Sequence, residues 1–226
     1  IYWMPYVWSA GGFLFNKTPQ GKDTFALTSP NALNGLAYYA SWPNQRHIAP
    51  RKTESGNAKM SEMFLQGKLS MLIDGRWRVP SLRHKATFKW DVIPLPQGST
   101  GSISGLDASG YAMAKSTQHP EASWKLIEHL SSARNIEQFA QSGLIIPARK
   151  DVSQSAAFLH PTPDSLPKHS EVFLQAIQTG QPTRSHPRWN EISEELNLAL
   201  EPVWDGQQSA QDAMTQVAPR IQKLLQ

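Results

Sequence analysis

Phe64-Leu-Gln-Gly-Lys-Leu-Ser-Met-Leu-Ile-Asp-Gly-Arg-Trp77 is the stretch on which the fold prediction depends. Gly67 is placed to end a helix, because glycine readily adopts the left-handed conformation that follows a last helical turn. Residues 69–73 form a short apolar run, which is typical of a buried strand. Gly75 then predicts a turn, and that turn would present the flat ring of Trp77 at the end of the strand.

Further motifs accompany this stretch, and together they resemble a known family. Residues 64–77 are similar to the pattern F-x-x-G-K-x-A-M-x-x-x-G-x-W of the bacterial extracellular solute-binding proteins, the maltose-binding-protein-like sugar receptors of ABC importers. Five other segments follow in the family's order: residues 11–12, 28–33, 109–113, 119–132 and 143–149. The resemblance therefore covers nearly the whole chain, with no single motif specific by itself.

The resemblance implies an α/β fold, the two-lobed clamp of type II periplasmic binding proteins. The matching motifs belong to the second half of the family's longer chains, so we expect the amino-terminal part of the first lobe to be lacking. By that analogy residues 1–103 are most of the second lobe, residues 104–180 are the remainder of the first lobe, and residues 181–226 are carboxy-terminal helices that return to the second lobe. Segments 94–109 and 179–187, rich in Pro, Gly or Ser, are the predicted crossings.

Periodicity predicts alternating helices and short strands, with helices dominating after Pro120. Strands are predicted at residues 69–73, 89–93 and 110–114. Helices are predicted from the Ser29-Pro30 pair onward and at residues 58–66, 120–131, 133–141, 170–178, 191–200 and 209–225.

Composition sets broader bounds. With 226 residues, 39% of them hydrophobic, the chain can bury a sizeable core in one or two domains. The net charge of +4 is spread along the chain, which favours an ordinary solvated surface over a nucleic-acid patch. The absence of cysteine excludes disulfides and thiolate metal sites. No stretch approaches the ~20 apolar residues of a membrane span.

The compartment follows from the resemblance alone. The sequence opens with Ile-Tyr-Trp-Met-Pro and shows no targeting peptide, which does not argue for the cytoplasm. The resemblance implies a periplasmic or lipid-anchored extracytoplasmic protein that is not membrane-spanning. Its expected partners are a sugar or oligosaccharide and the membrane subunits of an ABC importer, with no cofactor, no metal and no nucleic acid.

A sugar presents apolar C–H faces and hydroxyl groups, so its site needs aromatic rings and directional polar side chains. The resemblance implies that Trp77 is the leading stacking ring, with Trp189, Tyr6 and Trp8 as further ring contacts. For each of these side chains, packing inside the protein is the open alternative. The other tryptophans are assigned to packing: Trp3, Trp42, Trp90, Trp124 and Trp204.

The polar candidates each have an equally ordinary structural explanation. Asp74 either accepts hydrogen bonds from sugar hydroxyls or stabilises the Gly75 turn. Arg76 is either a ligand contact or a solvated neighbour of Trp77. Arg149 matches a position that reaches the cleft in the family, and a surface salt bridge with Asp151 is the alternative.

One segment departs from the family pattern. Residues 105–110 correspond to a glycine-rich Gly-Gly-x-Gly entry into the first lobe, whose amides and small side chains face the ligand. Here Asp107 and Ala108 stand where paired glycines are usual. This places a carboxylate, beside the small side chain of Ser109, among the expected ligand contacts.

Two alternatives compete with a sugar receptor. A glycoside hydrolase needs two carboxyl groups across a cleft, whereas Glu191, Glu194 and Glu195 form one solvent-facing helical stripe. The histidines lack helical metal-site spacing, so we expect no enzyme. Within the same fold the alternative ligand is glycerol phosphate or a related polyol ester, which would favour Arg76, Arg149 and Arg188 as contacts.

Overall fold

Helices make up most of the regular structure in the computed structural model, which describes residues 2–55, 59–162, 164–183 and 186–226. The helices are α1 (Met4–Ser9), α2 (Pro30–Asn44), α3 (Lys52–Ser55), α4 (Met60–Leu65), α5 (Val79–Lys85), α6 (Pro120–Leu130), α7 (Ala133–Ser142), α8 (Lys150–Ser153), α9 (Ala156–Leu159), α10 (Glu171–Gln178), α11 (Trp189–Trp204) and α12 (Ala210–Leu224). The strands are β1 (Phe15–Lys17), β2 (Asp23–Phe25), β3 (Gly105–Leu106) and β4 (Gln181–Pro182).

The strands form two small pairs. β1 and β2 are antiparallel, with Phe15 opposite Phe25. β3 and β4 are parallel, with Gly105 opposite Gln181. Each pair is only two or three residues long. Most of the buried apolar side chains lie on helices instead.

The chain divides into two compact units. Unit 1 comprises residues 1–59, 95–107 and 179–226, and unit 2 comprises residues 60–94 and 108–178. Three of the changes between units lie within or next to the predicted crossing segments, of which residues 184 and 185 are outside the described part. Residues 60–94 belong to unit 2, whereas the sequence predicts them in one lobe with residues 1–59.

Unit 1 is held by an apolar core between α1, α2, α11 and α12. On α11 the side chains of Ile192, Leu196 and Leu200 are buried at a spacing of four residues, so they form one stripe of the helix. Met214, Val217 and Ile221 form the matching stripe of α12, whose first turn is capped by the Ser209 side chain.

A glycine allows the two early helices of unit 1 to touch. A Cβ atom added at Gly35 of α2 would lie 2.6 Å from the carbonyl oxygen of Tyr6 and 2.6 Å from the Cα atom of Val7. Any larger residue would therefore separate α2 from α1.

Unit 2 contains two smaller apolar clusters. Val79, Leu82 and Trp90 form the first, and Ala140, Val152 and Phe158 form the second. Phe173 of α10 packs against both clusters. The helix α7, which carries Ala140 of the second cluster, begins at the capping side chain of Ser132 and ends at the left-handed Gly143.

The predicted helices are confirmed to within a few residues. The helix predicted at 58–66 is observed at Met60–Leu65, and Ala58 lies outside the described residues. The helix predicted at 191–200 begins two residues earlier and continues past Pro202 to Trp204. Five short helices of the described residues were not predicted: α1, α3, α5, α8 and α9. Of these, α1 and α5 each have a proline in the first turn.

The three predicted strands are not observed. Residues 69–73, 89–93 and 110–114 have no regular secondary structure. A strand requires a hydrogen-bonded neighbour, and the described part of the chain supplies none to these segments. Met71, expected to be buried, is 77% exposed, and Ile93 of the second segment is 76% exposed. The Trp124 side chain, expected to pack, is also exposed.

The core stripe of α11 gives a first prediction. Replacing the fully buried Ile192 by alanine removes apolar contacts and leaves a cavity, so the free energy of unfolding should fall by about 2–5 kcal/mol. Urea denaturation followed by circular dichroism measures the change. Leu198→Ala is the control on the same helix, because Leu198 is exposed; its effect should stay within about 0.5 kcal/mol. Equal losses in both variants would contradict this core.

The ion pair between His169 and Asp91 in unit 2 gives a second prediction. The His169 Nδ1 atom lies 2.6 Å from Asp91 Oδ2, and the His169 amide donates to Asp91 Oδ1 at 3.2 Å. The hydrogen bond to Asp91, reinforced by the carboxylate charge, raises the pKa of His169. NMR titration should therefore give a pKa above the ordinary 6.5.

The raised pKa of His169 determines how the stability of the protein changes with pH. Because the pKa of His169 is higher in the folded state, the contribution of the pair is fully present below about pH 6.5 and is lost as the pH rises through the folded pKa. Asp91→Asn should return the histidine pKa toward its value in the urea-unfolded chain. A His169 pKa that is the same in the wild type and in Asp91→Asn would contradict the interaction.

Candidate functional site

Trp77 is the most accessible of the predicted ring contacts. It lies in a 3₁₀ turn, Arg76–Arg78, directly before α5, and its side chain is 59% exposed. A Cβ atom added at Gly75 would lie 2.2 Å from the Cη2 and Cζ3 atoms of the Trp77 ring. The indole therefore rests on the backbone of Gly75, and only glycine leaves room for that arrangement.

Asp74 stabilises the turn that carries Trp77. One carboxylate oxygen accepts a hydrogen bond from the Gly75 amide at 2.8 Å. The other accepts from Arg78 Nε at 2.7 Å, which closes an ion pair across the turn. The structural role left open by the sequence is thus observed, and a sugar contact by Asp74 stays a prediction.

Arg76 points away from solvent, so it is not the solvated neighbour of Trp77 that the sequence allowed. The residue is only 3% exposed, and its guanidinium lies over the rings of Phe158 and Phe173, at 4.4 and 5.0 Å from their centroids. Nη1 donates to Ser170 Oγ at 3.1 Å. Burial, and secondarily the charge of Arg83, lower the pKa of Arg76 to about 10.

The aromatic candidates of unit 1 are buried. Tyr6 and Trp8 lie on α1, and Trp189 is the first residue of α11. Trp8 and Trp189 belong to the apolar core, so packing is their observed role. Tyr6 lies within the aromatic cluster described next, and burial raises the pKa of its hydroxyl.

An aromatic cluster on α2 was not anticipated. The ring of Tyr6 contacts three rings of that helix, from Tyr38, Tyr39 and Trp42, with centroids 4.8–6.1 Å apart. The guanidinium of Arg46 lies 5.1 Å from the Tyr38 centroid. The spacing of Tyr38 and Trp42, one helical turn apart, was the signal available in the sequence.

The remaining polar candidates are exposed. Asp107 follows β3 and accepts a short hydrogen bond from the hydroxyl of Thr183, just after β4. Ser109 lies in a segment without regular structure. Arg149 forms a two-pronged salt bridge, with Nε and Nη2 lying 3.2 and 2.8 Å from the two carboxylate oxygens of Asp151. The alternative stated for Arg149 is therefore what the structure shows.

The candidates do not all fall in one place. Asp74, Arg76 and Trp77 are neighbours at the start of α5 in unit 2, which also contains Ser109 and Arg149. Unit 1 contains the buried rings and Asp107. Trp77 and the turn beneath it are thus the part of the candidate site that the geometry supports most directly.

A second exposed aromatic surface lies on unit 2. Trp124 of α6, assigned to packing from the sequence, lines a shallow depression of about 430 Å³ with Met113 and the first turn of the helix. No residue of α6 is buried. The spacing of the apolar side chains along this helix therefore did not indicate that Trp124 is exposed.

The described residues contain neither a candidate metal site nor a candidate membrane span. No group of three or more His, Asp or Glu side chains is arranged to hold a metal ion there. The helices of the same part of the chain include none with the length and apolarity needed to cross a membrane.

Known proteins resemble this chain at both the sequence and the structural level. Residues 1–163 match the model of a family described as bacterial extracellular solute-binding protein. A binding protein of Brucella abortus is 20% identical over 100% of this chain and 53% of its own length. The galactooligosaccharide-binding protein of Bacillus subtilis is 22% identical over 96% of this chain and 52% of its own.

The structural comparison agrees. The ABC substrate-binding protein Lmo0181 of Listeria monocytogenes, solved with cycloalternan, superimposes with a TM-score of 0.81 at 20% identity, covering 99% of this chain and 56% of that one. This likeness confirms the predicted fold class, the α/β fold of type II periplasmic binding proteins. The chain spans about half the length of the relatives it matches.

The contact between Gly75 and Trp77 gives a third prediction. A methyl group at residue 75 would overlap the indole, so Gly75→Ala should displace the ring and make it more mobile. The ¹⁹F NMR resonance of 5-fluorotryptophan at residue 77, assigned by its loss in Trp77→Phe, should shift and sharpen. Gly110→Ala is the control, because nothing lies near a Cβ atom at that glycine. An unshifted resonance in Gly75→Ala would contradict the described contact.

Proposed function

Because the chain belongs to the bacterial extracellular solute-binding proteins, we propose that it forms the sugar-recognising part of a receptor for an ABC importer. The receptor captures a sugar or oligosaccharide in a cleft between two lobes and delivers it to the membrane subunits of the importer. The family consists of binding proteins rather than enzymes. Relatives named for galactooligosaccharides and maltodextrin support a carbohydrate as the ligand class.

The observation that carries the proposal is the exposed ring of Trp77. A flat aromatic face stacks on the C–H face of a sugar, and stacking is most favourable when the ring is already held in place. Here Gly75 lies beneath the indole, and Asp74 joins the Gly75 amide to Arg78. The turn therefore presents a preorganised aromatic surface to solvent.

Asp107, Ser109 and Arg149 are proposed polar contacts in the same receptor. All three are exposed. They offer to sugar hydroxyl groups a carboxylate, a hydroxyl and the Nη1 group of Arg149, which takes no part in the pair with Asp151. Trp189, Tyr6 and Trp8 are buried and could contact a ligand only after rearrangement, so they contribute less to this proposal.

The charge pairing favours a neutral sugar over glycerol phosphate. Arg149 and Arg188, two of the three arginines that a phosphate ester would use, are already paired with Asp151 and Glu191. The same pairing weakens the case for a hydrolase. Glu191 is bound to Arg188 and Glu195 to Arg220 at the surface, so neither is a free carboxylate poised across a cleft.

In this proposal the ligand favours a closed arrangement of the complete two-lobed receptor. A ligand that binds the closed state more tightly shifts the equilibrium toward it, and the importer would recognise that state. The location of such a receptor is extracytoplasmic, periplasmic or lipid-anchored; two pneumococcal relatives are named as lipoproteins.

Removal of the Trp77 ring tests the proposal. Calorimetric titration of the receptor that contains this chain with maltotetraose and with a galactotetraose should give saturable binding to at least one of them. Trp77→Ala should weaken that binding by ~1–3 kcal/mol, because a stacking and burial contact is lost.

Trp124→Ala is the matched control, since Trp124 is equally exposed in the same unit and lies outside the proposed contacts. Its dissociation constant should equal that of the wild type. An unchanged dissociation constant in Trp77→Ala would remove Trp77 from the site. If neither tetrasaccharide binds, the proposal that the ligand is an oligosaccharide is contradicted.

A further inference from the structure

Arg76 carries a buried positive charge without a carboxylate partner in the described part of the chain. Its Nη1 atom donates to Ser170 Oγ, but its Nε and Nη2 atoms are inaccessible to solvent and have no acceptor. The rings of Phe158 and Phe173 offset part of the cost through cation–π attraction. They cannot satisfy the N–H groups, which lie in the plane of the guanidinium.

The two unsatisfied nitrogens form one edge of the guanidinium, the edge that can hold both oxygens of a carboxylate or phosphate. Two other arginines of this protein show that use. In Arg149 and in Arg188, Nε and Nη2 bind the two carboxylate oxygens of Asp151 and of Glu191. Arg76 has the same edge, buried and unfilled.

A second guanidinium, that of Arg83, lies near enough for its charge to help lower the pKa of Arg76. Arg83 donates from Nε to the carbonyl of Leu166 and from Nη1 to the carbonyl of Gln141, while its buried Nη2 has no acceptor. Gly143 leaves room for it, since a Cβ atom there would lie 3.0 Å from Arg83 Nη1. Two like charges with unfilled donors are unfavourable together unless an anion lies near both.

Arg83 also lines a cavity of about 370 Å³ in unit 2. Its other polar lining side chains are Gln141, Thr162, Asp164 and Ser165, and its apolar side includes Phe88 and Trp90. The volume exceeds that of a small oxyanion with its waters. The Thr162 hydroxyl and the Gln141 amide can donate to anion oxygens, whereas the Ser165 hydroxyl already donates to the Thr162 carbonyl. The carboxylate of Asp164 is the one unfavourable group, and it forms no ion pair with Arg83 among the described contacts.

We propose that Arg76 and Arg83 together bind one small oxyanion, a phosphate or a carboxylate, which enters beside Arg83. The anion takes the Nε–Nη2 edge of Arg76 and the free Nη2 of Arg83. This site is separate from the sugar surface, because Arg76 is directed into unit 2 whereas Trp77 is directed to solvent. The inference does not depend on the proposed sugar ligand.

The test is titration with sodium phosphate at constant ionic strength, with sodium chloride as the balancing salt. Phosphate should bind saturably in calorimetry and raise the midpoint of thermal unfolding. Arg76→Lys keeps the charge but lacks the two-pronged edge, and it should lose roughly tenfold or more in affinity. Arg83→Met should lose a similar factor, whereas Arg220→Met, at an exposed arginine of α12 paired with Glu195, should bind phosphate as the wild type does.

The variant Arg76→Met distinguishes the loss of the anion site from the loss of the folded structure. It removes an unsatisfied buried charge, so in phosphate-free buffer it should unfold at the wild-type temperature or above, yet show no response to phosphate. Saturable binding of acetate in place of phosphate, with the same dependence on Arg76, would also support the site. Absence of binding by both anions, or binding that is unchanged in Arg76→Lys and Arg83→Met, would overturn it.

Discussion

Hydrogen bonds from three side chains hold the segment that carries Trp77 within unit 2. Arg76 binds Ser170, Arg83 binds the carbonyl of Leu166, and Asp91 binds His169. These bonds join residues 76–91 to residues 166–170, which are distant in sequence. Because no strand of the described residues pairs with this segment, its position depends on these polar contacts and on the small clusters around Val79 and Phe158.

The two units are stabilised by different means. In unit 1 four helices bury continuous apolar stripes, so most of its large apolar side chains pack in one core. In unit 2 apolar burial is divided between two small clusters, and large side chains such as Met71 and Trp124 stay exposed. The two exposed tryptophan rings of the described residues, Trp77 and Trp124, lie on unit 2, where the small clusters leave them uncovered.

Local signals explain which predictions succeeded. Helices α2, α6, α7 and α12 begin at capping residues or prolines whose effect operates within one turn, so the sequence was enough to place them. Strands depend on a partner distant in sequence, and the three apolar segments predicted as strands lack one here. Burial likewise depends on neighbours. The sequence therefore left the packing of Trp189 open, and it placed Arg76 at an accessible position and Trp124 in the core.

The sequence by itself determined the family, the fold class and the turn at Gly75, because these are encoded in the order of short motifs and in the conformational freedom of single residues. Only the tertiary structure decided which side chains are accessible. It buried Arg76 between two phenylalanine rings from α9 and α10, paired Arg149 with Asp151, and left Trp77 open on the backbone of Gly75. Accessibility is a property of the whole set of neighbours, and no local pattern contains it.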